Sequence, residues 1–152
     1  MSLQLSMNFK KHIWSCPAEY KDLSGAREIA IDLETRDEGI GSNRGAGWAT
    51  GHGNIIGFAV AIEGWQGYYP FKHFGGGNMI PSQVKKYIKD VCALPCPKIF
   101  HNAQYDVGWL QQEGFKVNGE IIDTMVAAAI VDENRFSYSL NALSKDYLGE
   151  IK

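Results

Sequence analysis

Nothing in this sequence is long and apolar enough to cross a bilayer. Its longest apolar stretch, Met125–Val131, falls well short of the ~20 residues a membrane helix requires, so a membrane partner is not expected. The N-terminal MSLQLSMNFKKHIWSCP lacks the apolar core of a secretory signal. Cysteine is scarce: only Cys16, Cys92 and Cys96 are present, an odd and small number that suits a reducing, cytoplasmic compartment. Cys92 and Cys96 have no second ligand pair nearby, so ordinary packing is expected of them rather than zinc. An excess of positive charge is also missing, with 15 Lys and Arg against 17 Asp and Glu. Proteins that coat duplex DNA by neutralising phosphates are usually strongly basic. Any nucleic-acid contact here must therefore be small, or bound cations must supply the charge.

What is present suits one folded unit of 152 residues with a single core. Residues 1–26 have weak periodicity and are expected to form a leader packed across the domain, with Met1-Ser2-Leu3 resembling a vector-derived scar. In Arg27–Thr35 the apolar Ile29, Ile31 and Leu33 alternate with Ala30, Asp32 and Glu34, the pattern of a half-buried strand. A long Gly-rich loop, Arg36–Asn54, follows; a loop of that length is usually functional or mobile. Ile55–Ile62 reads as a second strand, Glu63–Gly67 as a hairpin turn and Tyr68–Phe71 as the return strand. Pro81 and Ser82 open a helix that Pro95 and Pro97 stop. Lys98–His101 and Glu120–Ile122 read as short strands, with a helix over Ala103–Glu113 between them. Asp123-Thr124 is placed to cap a helix running through Val131, and Ser137–Leu148 reads as a last helix. A strand meander followed by alternating strands and helices predicts an α/β layer with a mixed sheet.

Two clusters carry chemistry. In Asp32-Leu33-Glu34 the two acids stand at i and i+2, and such residues share a face of a strand. Like charges so close repel, and burying both is costly. Divalent cations relieve both problems, and oxygen ligands suit magnesium or manganese. The plainer alternative is a strand that ends at Ile31 and leaves both acids solvated. The second cluster, Phe100-His101-Asn102-Ala103-Gln104-Tyr105-Asp106, lies at a strand-to-helix junction. There, Asn102 can cap the helix and Asp106 can sit in the field of its N-terminus.

Taken together, a strand bearing Asp-x-Glu-Thr, a hairpin, a helix, and then a strand running into Asn-x-x-Tyr-Asp resemble the DEDD superfamily of 3′–5′ exonucleases. Ile122-Asp123-Thr124-Met125 and Ser139-Leu140-Asn141-Ala142-Leu143 bring the likeness closest to the proofreading domains of phage-like family A DNA polymerases, over roughly Glu28 to Leu148. The resemblance implies a ribonuclease-H-like fold: a mixed central sheet, a three-strand meander and then parallel strands, flanked by helices. It implies Asp32, Glu34 and Asp106 as catalytic ligands of two divalent cations, Mg2+ or Mn2+. It places Leu33, Thr35, Asn102 and Tyr105 against the terminal nucleotides. It implies release of nucleoside monophosphates from the 3′ end of single-stranded DNA, and a polymerase module elsewhere in a longer parent. An RNA-trimming relative, or a non-catalytic domain that binds strand ends or a polymerase, shares the same motifs.

One part of that family's pattern is missing. No Tyr-x3-Asp occurs, and the one His-x4-Asp, His101 to Asp106, overlaps the second motif. Residues 27–152 are therefore expected to be a partial exonuclease domain, slow or inactive, whose uncovered apolar face invites self-association. Arg36 and Arg44 can touch phosphate, and Trp48, Trp65, Tyr68 and Tyr69 can stack on bases. His73 and Gly75–Gly77 border the same region, where a plain turn is the expectation. Trp109 is expected in the core.

Overall fold

The structure, a computed structural model, describes residues 16–42 and 44–149. Residues 1–15 of the expected leader lie outside them, as does Asn43 in the Gly-rich loop. The first strand, β1 (Ile29–Asp37), pairs antiparallel with β2 (Gly53–Ile62), and β2 pairs antiparallel with β3 (Trp65–Pro70). On its other side β1 pairs in parallel with β4 (Lys98–Phe100), and β4 with β5 (Ile121–Asp123). The sheet thus has five strands in the order β3-β2-β1-β4-β5. The mixed sheet expected from the sequence is present, an antiparallel meander of β1, β2 and β3 continued by the parallel β4 and β5.

Between β1 and β2 the chain makes a 3-10 turn at Ile40–Ser42 and a short helix, α1 (Gly47–Thr50). The remaining helices are α2 (Pro81–Ala93), α3 (Ala103–Gln112), α4 (Thr124–Val131) and α5 (Leu140–Leu148). The apolar positions of β1 pack with Val84, Ile88 and Val91 of α2 and with Trp109 and Leu110 of α3. Trp109 is fully buried, as its pattern indicated. Of the leader, Leu23 enters this core, and the ring of Tyr20 stacks on Tyr69 at 5.3 Å.

Several boundaries move from their sequence-based positions, each for a local reason. β1 runs past Ile31 to Asp37, so the acids of Asp32-Leu33-Glu34 lie inside a strand. The return strand begins at Trp65, because Glu63 and Gly64 alone make the hairpin turn and Gly64 takes a φ of 74°. The last helix begins at Leu140 rather than Ser137. The Ser139 N–H donates to the Ser137 hydroxyl at 3.2 Å, and the Ser139 hydroxyl accepts from the Ala142 N–H at 3.3 Å, so Ser139 is the cap. Tyr69, expected as a base-stacking candidate, is fully buried in the core and cannot reach a substrate. Trp48 is half-buried and lies on Gly108, where an added Cβ would meet its ring at 2.5 Å.

The β1–β2 register slips between Glu34 and Thr35, so Ile56 is an unmatched residue between Gly57, opposite Glu34, and Ile55, opposite Thr35. Such a bulge bends the strand that carries it. The Ile56 carbonyl accepts from Phe71 N at 3.0 Å and Lys72 N at 3.2 Å, which turns the chain out of β3. The N–H of Ile55, beside the bulge, donates to Glu113 Oε1 at 2.8 Å.

Candidate active site

Alternation along β1 sends Asp32, Glu34 and Arg36 to one face of the sheet, and Leu33, Thr35 and Asp37 to the face covered by α3. The floor around the acids is low. Asp32 lies opposite Ala59 and Glu34 opposite Gly57, and Ala59 in turn lies opposite Tyr68. Asp32, Ala59 and Tyr68 therefore form one row across three strands. At Gly57 an added Cβ would meet the Tyr68 hydroxyl at 2.1 Å, so a residue without a side chain is required for Tyr68 to lean toward Glu34. Burial, together with the carboxylates of Glu34 and Asp32, pushes the Tyr68 phenol up to about 12. Its hydroxyl pairs with His73 Nε2 at 2.5 Å.

The third acid arrives from a different part of the chain. β4 ends at Phe100, and the chain turns into α3 through Asn102, which holds a left-handed φ of 69°. That turn sets Asp106 in the first helical turn, 4% exposed, where Asp106 Oδ1 accepts the backbone N–H of Leu33 at 3.2 Å. The Asp106 carboxylate is thus bound to the residue between Asp32 and Glu34. Among the described residues, no group of three or more His, Cys, Asp or Glu side chains is gathered closely enough to hold a metal ion. The donor chemistry nonetheless fits hard divalent cations: three carboxylates, oxygen donors only, with both β1 acids on one face.

Thr35 and Tyr105, each expected against the terminal nucleotides, are hydrogen-bonded to each other through their hydroxyls at 2.8 Å. Tyr105 also donates to Asp37 Oδ2 at 3.0 Å. Asp37 was not singled out in the sequence. Its Oδ1 accepts the N–H groups of Gly39 at 2.8 Å, Ile40 at 3.2 Å and Gly47 at 3.0 Å, so it ties the start of the Gly-rich loop to its middle. Burial acts to raise the Asp37 carboxyl, but the amides of Gly47 and Gly39, the Tyr105 hydroxyl and the Ile40 amide outweigh it and hold it below the usual carboxylate value. The loop is therefore tied beside the site rather than simply solvated.

Asn102 is exposed, and its side chain makes no cap. The cap of α3 comes from Asp123, whose oxygens accept from Asn102 N at 3.1 Å and Ala103 N at 2.8 Å. The same carboxylate caps α4 through Met125 N at 2.9 Å. Both nitrogens of His101 are engaged, Nδ1 with Thr124 Oγ1 and Nε2 with the Tyr138 carbonyl, each at 2.9 Å. That gives His101 a structural place between β4, α4 and the chain before α5. A missed residue of another kind is Lys98, fully buried in β4, whose ammonium donates to the carbonyls of Leu94, Cys96 and Asn118.

Residues 17–152 match the sequence profile of a 3′–5′ exonuclease family typical of family A DNA polymerases. A DNA-directed DNA polymerase of Pseudomonas phage M6 is 30% identical over 125 residues, which is 80% of this chain and 19% of that protein. The chain spans about a fifth of the length of the curated relatives it matches. Among solved structures, NrnC of Brucella melitensis with bound Mg2+ superposes with a TM-score of 0.60 at 17% identity, over 86% of this chain and 58% of that one. RNase D of Trypanosoma brucei gives 0.61 at 22% identity, over 86% and 43%. At these identities the structural likeness concerns the fold, which is the ribonuclease-H-like one expected.

Proposed function

Since the chain belongs to the 3′–5′ exonuclease family of family A DNA polymerases, we propose that it is the proofreading-type domain of a longer polymerase, and that Asp32, Glu34 and Asp106 are its catalytic ligands for two divalent cations, Mg2+ or Mn2+. The observation that carries this reading is the Asp106 carboxylate bound at the Leu33 N–H, on a strand whose flanking acids share one face. When bound, such cations lower the pKa of water and neutralise charge developing on a phosphodiester. The residues of the chain do the rest. The three carboxylates hold the charge that makes cation binding favourable and phosphate binding dependent on it. The low floor at Ala59 and Gly57 leaves room for a strand end over the acids. Thr35 and Tyr105, hydrogen-bonded to each other, and the exposed Asn102 are the residues assigned to the terminal sugar and base, while the buried Leu33 takes part through its N–H to Asp106. The substrate is single-stranded DNA, read from its 3′ end and released as nucleoside monophosphates.

The test is a single-stranded oligonucleotide labelled at its 3′ end, incubated with the protein and manganese. Without a Tyr-x3-Asp pair to orient water, turnover is slow and is followed over hours. Labelled mononucleotide is released only with the metal present, and not by Asp32→Ala. An intact oligonucleotide, or release that Asp32→Ala leaves unchanged, removes the proposal.

A further inference from the structure

Beyond the acids, the same face of the sheet opens into a cavity of about 590 Å3, bordered by Arg36, Tyr68, His73, Phe74 and the Gly75–Gly77 run. We propose that this cavity binds a second nucleotide of the strand whose 3′ end lies at Asp32, with Phe74 stacking on its base and Arg36 taking its phosphate. The proposal rests on the exonuclease reading for the strand's direction.

The geometry of the cavity and its rim carries it. The volume is that of a small-ligand cleft, typically about 300–1,000 Å3. Arg36 follows Asp32 and Glu34 on one face of β1, at roughly 7 Å per two-residue step. A strand leaving the acids along β1 therefore reaches Arg36 next. The Arg36 guanidinium lies 3.7 Å over the Phe74 ring and, among the described residues, has no carboxylate partner. Phe74 is 89% exposed, so its other face is open to a base. The loop that presents the ring is braced: His73 N donates to Asn78 Oδ1, and Asn78 Nδ2 donates to the His73 carbonyl, both at 2.7 Å. On the inner wall, Tyr68 and His73 hold each other by their side chains. The three glycines keep the rim low. A ring alone would be unremarkable, since single exposed apolar residues are common. A ring carrying an unpaired cation, over a cavity that begins where the acids end, is matched by a nucleotide, which brings a flat base and an anion together.

The test compares two probes on the full chain in manganese: a phosphorothioate-linked thymidine trinucleotide, and thymidine 5′-monophosphate. Phe74→Ala weakens the trinucleotide about tenfold, the scale of one lost base stack, and leaves the mononucleotide unchanged. Arg36→Gln reduces the slope of log affinity against log salt by about 0.7, the value for one phosphate contact to a single strand. Phe74 is exposed and Arg36 half-buried, and thermal melting of the variants verifies that the fold is intact. Equal loss for both probes, or trinucleotide binding indifferent to Phe74→Ala, overturns the pocket. A chain that binds neither probe overturns the pocket and the exonuclease reading together. The exonuclease reading is judged on its own by 3′ release in Asp32→Ala.

Discussion

Asp106 completes the hydrogen bonding of a strand it does not belong to. Its Oδ1 accepts the N–H of Leu33 at 3.2 Å. Ile29 N donates to the Pro97 carbonyl, so the alternate N–H groups of β1 point toward β4. β4 stops at Phe100, and the Leu33 N–H would otherwise point past its end. A carboxylate from α3 fills that position, on the residue that separates Asp32 from Glu34.

Asp106 should therefore show two separable losses. Asp106→Asn keeps an oxygen for Leu33 and retains most of the stability, but it loses manganese binding in calorimetry. Asp106→Ala also strands a buried N–H, which costs about 1–3 kcal/mol in urea unfolding. If Asp106→Asn binds manganese as the unaltered chain does, Asp106 is a structural residue only.

Asp123 caps both α3 and α4. Asp123→Ala is expected to cost about 2 kcal/mol, two caps at a typical ~1 each. Because α3 carries Asp106 and Tyr105, hydrogen exchange should quicken across that helix's first turn as well as in α4. An effect confined to α4 would contradict the shared cap.

The Asp37 carboxyl is held below the usual carboxylate value: burial opposes this, but the amides of Gly47, Gly39 and Ile40 and the Tyr105 hydroxyl prevail. A group depressed in the folded state contributes stability that is present above its unfolded pKa of about 3.9 and is lost as pH falls through the folded value. The difference in urea midpoint between the unaltered chain and Asp37→Asn should accordingly be full at neutral pH and shrink in acid. A difference that grows on acidification reverses the sign and rejects the assignment.

Lys98 is expected to be intolerant of apolar replacement. Lys98→Met leaves the carbonyls of Leu94, Cys96 and Asn118 without the ammonium. At about 1 kcal/mol or more for each orphaned acceptor, the loss should reach about 3 kcal/mol. A neutral thermal melt would show that water or a backbone shift replaces the ammonium.

What could be read in advance follows from how local each feature is. The β1 alternation of Ile29, Ile31 and Leu33 carries its own signal, as do Pro81 at the start of α2 and Asp123-Thr124 at the start of α4. Asp32 and Glu34 were legible as a same-face pair from spacing alone. Asp37 was not, because its importance lies in amides two to ten residues away and in Tyr105 on another element. Lys98 reads as a surface charge until the fold folds three carbonyls around it. Tyr68 gave no sign of its place beside the acids, which depends on strand register and on the missing side chain at Gly57. The Asn102 cap fails because Asn102 takes a left-handed φ of 69° and its side chain makes no cap bond, while Asp123, distant in sequence, accepts from the Asn102 and Ala103 amides from β5.

The bulge at Ile56 has a consequence for tolerance to insertion and deletion. It lets a regular β1 keep its acids in step while its neighbour falls out of phase by one, and the slack is taken up where the chain departs toward Phe74. The acidic row and the aromatic rim are joined across this slack, since the Ile56 carbonyl holds Phe71 and Lys72 just before Phe74. Removing that lone residue would leave every acid in place and still misalign whatever bridges the two.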